Sequence, residues 1–424
     1  ANSTSRPVAG ILYLAALRVF LLSETSGQRG SQWLESTNIL STVSQLTCAE
    51  CRGSTDFHVR IGKSTPRSLW LARAPLPLDA GLDASPARMR VPPVTVAKLT
   101  WDLSTADELR LSSDENGWFS SLCGVRDMVF GEAFNQSVRD IVWPGGLRDL
   151  TFGCSFNQAV HGVEWPLGLK RMRFGKSFNK AVDGVAWPRG LEHLTFGHAF
   201  AQPCANVGWP AALRELTFGQ EYNQPLSSKG LPPALERLTF GHKFNRPIDG
   251  VVRWPPTLRI ITLGWHFNQS LKGVALPRTL EVLTLAGVYN RPLDDVHLPL
   301  GLQRLTLGGH FNQSLSAVMW PDTLQELCFG WAFDQPLDGV DWPLSLVTLA
   351  LGYRYNQPAE RIKWPANLES LNLGVFSRQS LRGLVWPPSF ETLTVSRAFD
   401  TTGMILPDGA HVCRRGHTCC KVRR

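Results

Sequence analysis

The sequence predicts a mainly β fold, a parallel β solenoid of about 13 coils of 22 residues, preceded by an irregular or partly helical N-terminal cap region. Three observations carry this. Phe134-Asn135-Gln136 recurs at 22-residue steps as Phe156-Asn157-Gln158, Phe178-Asn179-Lys180, Tyr222-Asn223-Gln224 and onward to Tyr355-Asn356-Gln357, with one step of 23 that an insertion at Val252 or a neighbour absorbs. Trp-Pro recurs on the same period, from Trp143-Pro144 to Trp386-Pro387. Between them lies a short apolar–polar alternation closed by glycine, as in Leu150-Thr151-Phe152-Gly153. A period this short and regular means stacked coils, each touching only its neighbours.

Along the chain, residues 1–100 form the cap region. Within it Val8 to Leu22 is almost wholly apolar, too short to span a membrane, and fits either the core of a secretory signal or a helix. Its apolar residues Val8, Ile11, Leu12, Ala15, Val19 and Leu22 share one helical face, which would cover the hydrophobic end of the first coil. Residues 101–407 form the solenoid. In each coil Pro fixes a corner, the Leu-x-x-Leu-x-Phe run that follows is a half-buried strand, and Gly supplies a bend or a positive φ. The Phe of Phe-Asn enters the core. The side chains of Asn135, Asn157, Asn179, Asn223, Asn245, Asn268, Asn290, Asn312 and Asn356 form a structural ladder that satisfies buried turn backbone from coil to coil. A ladder Asn is not free to carry a glycan, which removes the sequons at Asn135, Asn268 and Asn312. Residues 408–424 are a basic, cysteine-containing tail.

Charge is unevenly placed. Residues 1–100 hold 11 Lys/Arg against 6 Asp/Glu, residues 101–407 hold 27 against 28, and residues 408–424 hold 5 against 1. A neutral repeat body argues against a nucleic-acid groove along the solenoid. Nine cysteines scattered through 424 residues make no disulfide framework, which leans towards a reducing, intracellular compartment. Neither Cys48-Ala49-Glu50-Cys51 nor the group Cys413, His417, Cys419 and Cys420 has the second ligand pair that zinc requires, so no metal or cofactor is expected.

Taken together, Leu-x-x-Leu-x-Phe/Leu-Gly-x-x-Phe-Asn-Gln-Pro/Ser-Leu with Pro just before the next Leu resembles the FNIP repeat, a relative of the leucine-rich repeats, over about residues 122–407. It departs from that pattern in placing Trp before the Pro. The resemblance implies a horseshoe-like or straight parallel solenoid used for protein recognition, sometimes beside an F-box or a kinase domain. Neither of those motifs is visible in this chain.

Function in such a fold can be written only in outward columns that vary. One stands immediately before the second strand Leu and includes Arg171, Arg237 and Arg304. Another follows the glycine and includes His198, His242, Trp265, Trp331 and Tyr353. Between them runs a Thr-rich column explained by β propensity on an exposed strand face. The rings suggest rigid aromatic anchors for a protein partner; alternatively, they fold over the strand edge and cover the glycine bend. The expectation is a monomeric, non-enzymatic interaction scaffold that binds a protein on its sheet face, with neither nucleic acid nor membrane as partner. The rivals are a glycan-binding or glycan-active parallel β-helix, which would need carboxylates gathered on adjacent coils beyond Asp294-Asp295, and a surface adhesion rod using the Thr column.

Overall fold

Alternating apolar residues flanked by Pro and Gly leave room for strands of only three or four residues, and such strands are found once per coil. The computed structural model describes residues 56–61, 95–101, 125–226, 231–249, 253–374 and 381–414. The segment Val8–Leu22, the Cys48–Cys51 pair, the insertion point near Val252, the degenerate repeat at Ser377-Arg378-Gln379, and His417, Cys419 and Cys420 lie outside those residues. The described residues form strands and turns and no helix.

Two compact units, residues 1–176 and 177–424, share one design. The first carries β1 (Asp56–Ile61), β2 (Thr95–Trp101), β3 (Asp127–Phe130), β4 (Asp149–Thr151) and β5 (Arg171–Arg173). They pair in parallel in chain order, with Asp127 opposite Asp149 and Asp149 opposite Arg171. The second unit carries β6 (His193–Thr195), β7 (Glu215–Thr217), β8 (Arg237–Thr239), β9 (Ile260–Leu263), β10 (Val282–Leu285) and β11 (Arg304–Thr306). It continues with β12 (Glu326–Cys328), β13 (Thr348–Ala350), β14 (Ser370–Asn372), β15 (Thr392–Val395) and β16 (His411–Arg414). Its strands are again parallel neighbours in chain order, Leu facing Leu at the centre of nearly every pair. The expected parallel β solenoid, with about one strand per 22 residues, is what the chain forms.

The core is a set of stacked columns. Leu194, Leu238, Leu283 and Leu327 of the strands are fully buried, as are the Phe and Tyr side chains of the Phe-Asn positions. From Phe200 to Tyr355 these rings stack coil upon coil with centroids 6.0 to 6.3 Å apart. Of the Trp-Pro corners, Trp143, Trp165, Trp187 and Trp386 are buried, with Trp143 and Trp165 stacked at 5.6 Å, whereas Trp209, Trp254, Trp320, Trp342 and Trp364 are half-buried.

The glycine after each strand is required for a different reason from the one the sequence suggests. Its φ is positive only at Gly374 within that column. What excludes a side chain is the neighbouring coil: a Cβ on Gly241 would lie 2.7 Å from the Gln220 Cα, and closer still to the Gly219 carbonyl. Gly153 stands in the same relation to Gly131 and Glu132. Positive φ occurs instead at a second turn, at Gly162, Gly184, Gly273 and Gly339 among others, and Asp295 takes that conformation at its own coil.

The Asn ladder is present, and its working atom is the side-chain oxygen. Asn245 Oδ1 accepts the backbone amide of Asn268 at 3.0 Å and the Nε2 of Gln269 at 2.9 Å. The same pair of bonds runs from Asn135 to Asn157 and Gln158, from Asn290 to Asn312 and Gln313, and from Asn312 to Asp334 and Gln335. The amide of Asn290 in turn donates to Asn268 Oδ1 at 3.0 Å. The rungs differ in exposure: Asn135, Asn290 and Asn356 are exposed, and Asn157, Asn179, Asn223, Asn245, Asn268 and Asn312 are half-buried. The rung lies at the rim of the coil, just outside the buried ring of the preceding Phe or Tyr, so water competes for the same groups. A second ladder escapes sequence reading. Thr257, Thr279, Thr323, Ser345 and Ser389 each donate a hydroxyl to the carbonyl of the Leu that stands two residues before the preceding coil's strand, at 2.7 to 3.1 Å.

Each unit also carries paired strands beyond the 101–407 span. β1 and β2 pair with each other and β2 with β3. At the other end β16 pairs with β15 after a shortened step. Arg414 there donates to the carbonyls of Arg397 and Phe399, at 3.0 and 3.1 Å, and so closes the last coil.

Candidate functional site

In-register stacking turns residues 22 apart into neighbours, so the column after the glycine becomes a physical stripe. In the second unit the carbonyl of each member accepts the amide of the residue one place further on in the next coil. The bonds run His198 to Glu221, Gln220 to Lys243, His242 to His266, Trp265 to Val288, Gly287 to His310, Gly309 to Ala332 and Trp331 to Arg354, all 2.8 to 3.0 Å. His198, His242, Trp265, Trp331 and Tyr353 therefore do lie on one continuous surface strip.

Trp265 and Trp331 remain 45% and 39% exposed, yet neither ring is loose. A Cβ on Gly287 would lie 2.6 Å from Cγ and Cδ2 of Trp265, and one on Gly309 would lie 2.7 Å from Cδ1 and Nε1 of Trp331. Each indole thus fills the side-chain space that a neighbouring glycine leaves open, Trp265 leaning forward one coil and Trp331 back one coil. Their other contacts are just as specific. The His242 ring lies parallel to Trp265 at 5.8 Å, His310 meets Trp331 edge-on at 5.0 Å, and the Arg354 guanidinium sits 4.7 Å from the Trp331 centroid. The covering of glycines and the exposed aromatic surface are consequently one arrangement. Tyr353, on the next coil, is half-buried.

The arginine column behaves differently. Arg171, in the first unit, is ion-paired with Asp149. In the second unit Arg237 Nε lies 3.4 Å from Glu215 Oε1, whose other oxygen faces His193 Nδ1 at 3.0 Å, and Arg304 Nε lies 3.2 Å from Glu326 Oε2. Each of the three is committed to a carboxylate one coil away. Such exposed pairs contribute about 0–1 kcal/mol each to stability, and a partner would have to compete with them. On the stripe itself, the Lys243 ammonium beside Glu221 holds that carboxyl below its usual range, with His198 and His242 adding to the effect.

Metal ligands do not gather among the described residues: no group of three or more His, Cys, Asp or Glu could hold a metal ion there. Of the adjacent acids, Asp295 is a turn residue whose carboxylate is bound to Lys272 at 2.7 Å. The Cys204 thiol is buried, donates to the Gln202 carbonyl at 3.6 Å, and is pushed up to about 12 by that burial.

The missed features had legible signals. Gly287 and Gly309 are the two glycines in the post-glycine column and are bracketed by its two Trp. Opposite charges stand 22 residues apart at Asp149/Arg171, Glu215/Arg237 and Arg304/Glu326.

Comparison with known proteins agrees with this geometry. Residues 200–243, 222–252 and 289–331 match the FNIP Repeat. Among solved structures, the chain is similar to CroV588, described as a novel circular leucine-rich-repeat protein, at 31% identity and a TM-score of 0.58. The match covers 69% of this chain and 47% of that one, so this chain spans about half of its length. It also matches an internalin from Listeria monocytogenes at 15% identity and a TM-score of 0.41, over 60% of this chain and 78% of the other. No curated protein matches. The chain is an FNIP/leucine-rich-repeat-like repeat protein.

Proposed function

We propose that this chain is a non-catalytic protein–protein interaction scaffold that binds a partner protein on the outward face of its sheet and the adjoining stripe. The observation that carries this reading is the contrast between columns. Inward positions repeat the same Leu, Phe and Trp, whereas the stripe changes residue type from coil to coil and holds two half-exposed indoles in fixed orientations. Rigid, partly exposed aromatic rings lose little entropy on binding and are typical energetic centres of interfaces. Repeat folds of this kind generally serve as interaction surfaces, which supports the same reading. In this reading the protein acts as a monomer without a cofactor, residues 1–100 serve as a cap region, and residues 408–424 are an appended basic segment.

The test is site-specific photo-crosslinking in the source cell. A benzophenone side chain is placed at Thr306 and at Tyr353, and at Leu300 or Leu344, which are exposed elsewhere on their coils. A protein captured from Thr306 or Tyr353, and lost in a Trp265→Ala/Trp331→Ala background that keeps the circular dichroism of the wild type, is the expected result. Capture only from Leu300 or Leu344 would move the interface off this face.

A further inference from the structure

The scaffold reading leaves the chemistry of the partner open, and the stripe constrains it. From His242 to Arg354 the two outward positions of each coil hold His242-Lys243, Trp265-His266, Gly287-Val288, Gly309-His310, Trp331-Ala332 and Tyr353-Arg354, without a single carboxylate. Among the acids of neighbouring columns, Glu221 pairs with Lys243, Glu281 with Arg259 and Glu326 with Arg304, while Asp334 Oδ1 accepts the Asn356 amide at 2.8 Å. Cationic donors are less committed. Arg246 and Arg291 spend their Nε on the carbonyls of Asn223 and Asn268, Arg354 stacks on Trp331, and none of the three is ion-paired among the described residues. The strip therefore combines two aromatic surfaces held over glycines with the Arg354 guanidinium, and Arg246 and Arg291 stand in a neighbouring column.

We propose that this stripe takes an extended acidic segment of the partner protein, laid across its coils with apolar or aromatic side chains against Trp265 and Trp331. This rests on the scaffold reading above and adds the partner's chemistry to it. Five coil-to-coil steps of about 4.8 Å separate His242 from Tyr353, about 24 Å in all. An extended peptide advancing about 3.3 Å per residue covers that in about seven residues. Alternation in an extended chain sends every second side chain to the same side, so apolar residues can meet the rings while carboxylates meet the arginines. Charge complementarity sets the sign, and the two indoles, seated over Gly287 and Gly309, present fixed apolar surfaces to the segment.

The experiment uses the full chain and a fluorescein-labelled octapeptide of alternating Glu and Phe, followed by polarisation. A Lys/Phe octapeptide and an eight-nucleotide oligothymidine are the comparison probes. The expected result is salt-sensitive binding of the Glu/Phe peptide, weakened at least tenfold in Trp265→Ala/Trp331→Ala and severalfold in Arg354→Gln, with the Lys/Phe peptide bound far more weakly. Equal binding of the two peptides, no binding of the Glu/Phe peptide at millimolar concentration, or binding unchanged by these variants would overturn the proposal. Tighter binding of the oligothymidine would overturn it too, assigning the rings to base stacking. If the peptide fails while crosslinks from Thr306 still capture a partner, the scaffold reading stands and only the acidic chemistry falls.

Discussion

Gly241→Ala gives a quantitative test of how the coils are held at their spacing. Its Cβ would lie 2.7 Å from the Gln220 Cα and closer still to the Gly219 carbonyl, whereas carbon atoms rest at about 3.5–4.0 Å. Relieving even that one overlap means opening the two coils locally by about 1 Å. Both partners are backbone, so no side chain can turn away. The bonds crossing the same gap are Lys243 N to Gln220 O at 2.8 Å and Asn245 N to Asn223 Oδ1 at 3.0 Å, and an opening of that size stretches both beyond useful length. Two lost bonds at about 1 kcal/mol each, plus about 1–3 kcal/mol of overpacking, give a loss of about 3–5 kcal/mol. Two controls separate the causes. Gly273 has φ +75° and nothing within 4 Å of a Cβ, so Gly273→Ala should cost only the left-handed backbone penalty, about 1–2 kcal/mol. Gly208 has open space and no positive φ, so Gly208→Ala should be neutral or slightly stabilising. Urea unfolding followed by circular dichroism, with amide exchange on the flanking coils, ranks the three. A Gly241→Ala midpoint within error of Gly208→Ala would refute the close-approach argument.

The remaining predictions use the same measurements. Asn245→Ala should cost about 1–2 kcal/mol through the two bonds its Oδ1 accepts; an unchanged midpoint would make the ladder decorative. Ala201 interrupts the ladder and offers the Asn223 amide no side-chain oxygen, so Ala201→Asn should raise stability by about 0.5–1.5 kcal/mol. The Cys204 thiol is raised from 9.0 to about 12 in the fold, so between those pH values the unfolded chain releases this proton first and native stability falls as pH rises. At pH 10.5 that amounts to about 2 kcal/mol. Cys204→Val should therefore show a flatter urea midpoint between pH 8 and 10.5 than the wild type, and parallel curves would count against it. Trp331→Ala and Arg354→Ala should be non-additive by about 0.5–1 kcal/mol in a double-mutant cycle, because the guanidinium rests on the ring; strict additivity would mean that they do not interact.

Whatever a single coil determines was legible in the sequence. The period, the Trp-Pro corners, the strand Leu and the Phe-Asn ring column each follow from local patterning, because every coil repeats the same solution. What escaped depends on pairs of coils. The need for glycine at Gly241 comes from the carbonyl of Gly219 in the coil before, not from the backbone angles of Gly241 itself. Arg237 and Arg304 look like free cations when read along one column, but Glu215 and Glu326 stand beside them once the coils stack. The Ser/Thr ladder is likewise invisible in one coil, since each hydroxyl satisfies a carbonyl of the preceding one. β16 was hidden for another reason. It has no Phe-Asn pair and follows a shortened step, so nothing periodic announces it.

The division of labour between columns bears on what Trp265 and Trp331 are for. Coil spacing is already held by strand pairing, by the close glycine contacts and by two side-chain ladders, none of which involves the stripe's side chains. Filling the space above Gly287 and Gly309 does not demand an indole. The corner Trp are buried or half-buried, Trp143 being 6% exposed, whereas these two keep 45% and 39% of their surface in water. Exposed indole forgoes burial at about 25 cal/mol per Å², a stabilisation that a partner able to cover the rings would recover on binding. The arrangement of glycines, flanking His242 and Arg354, and half-open rings holds the indoles in fixed orientations, and under the proposed scaffold reading binding would cost them little side-chain freedom.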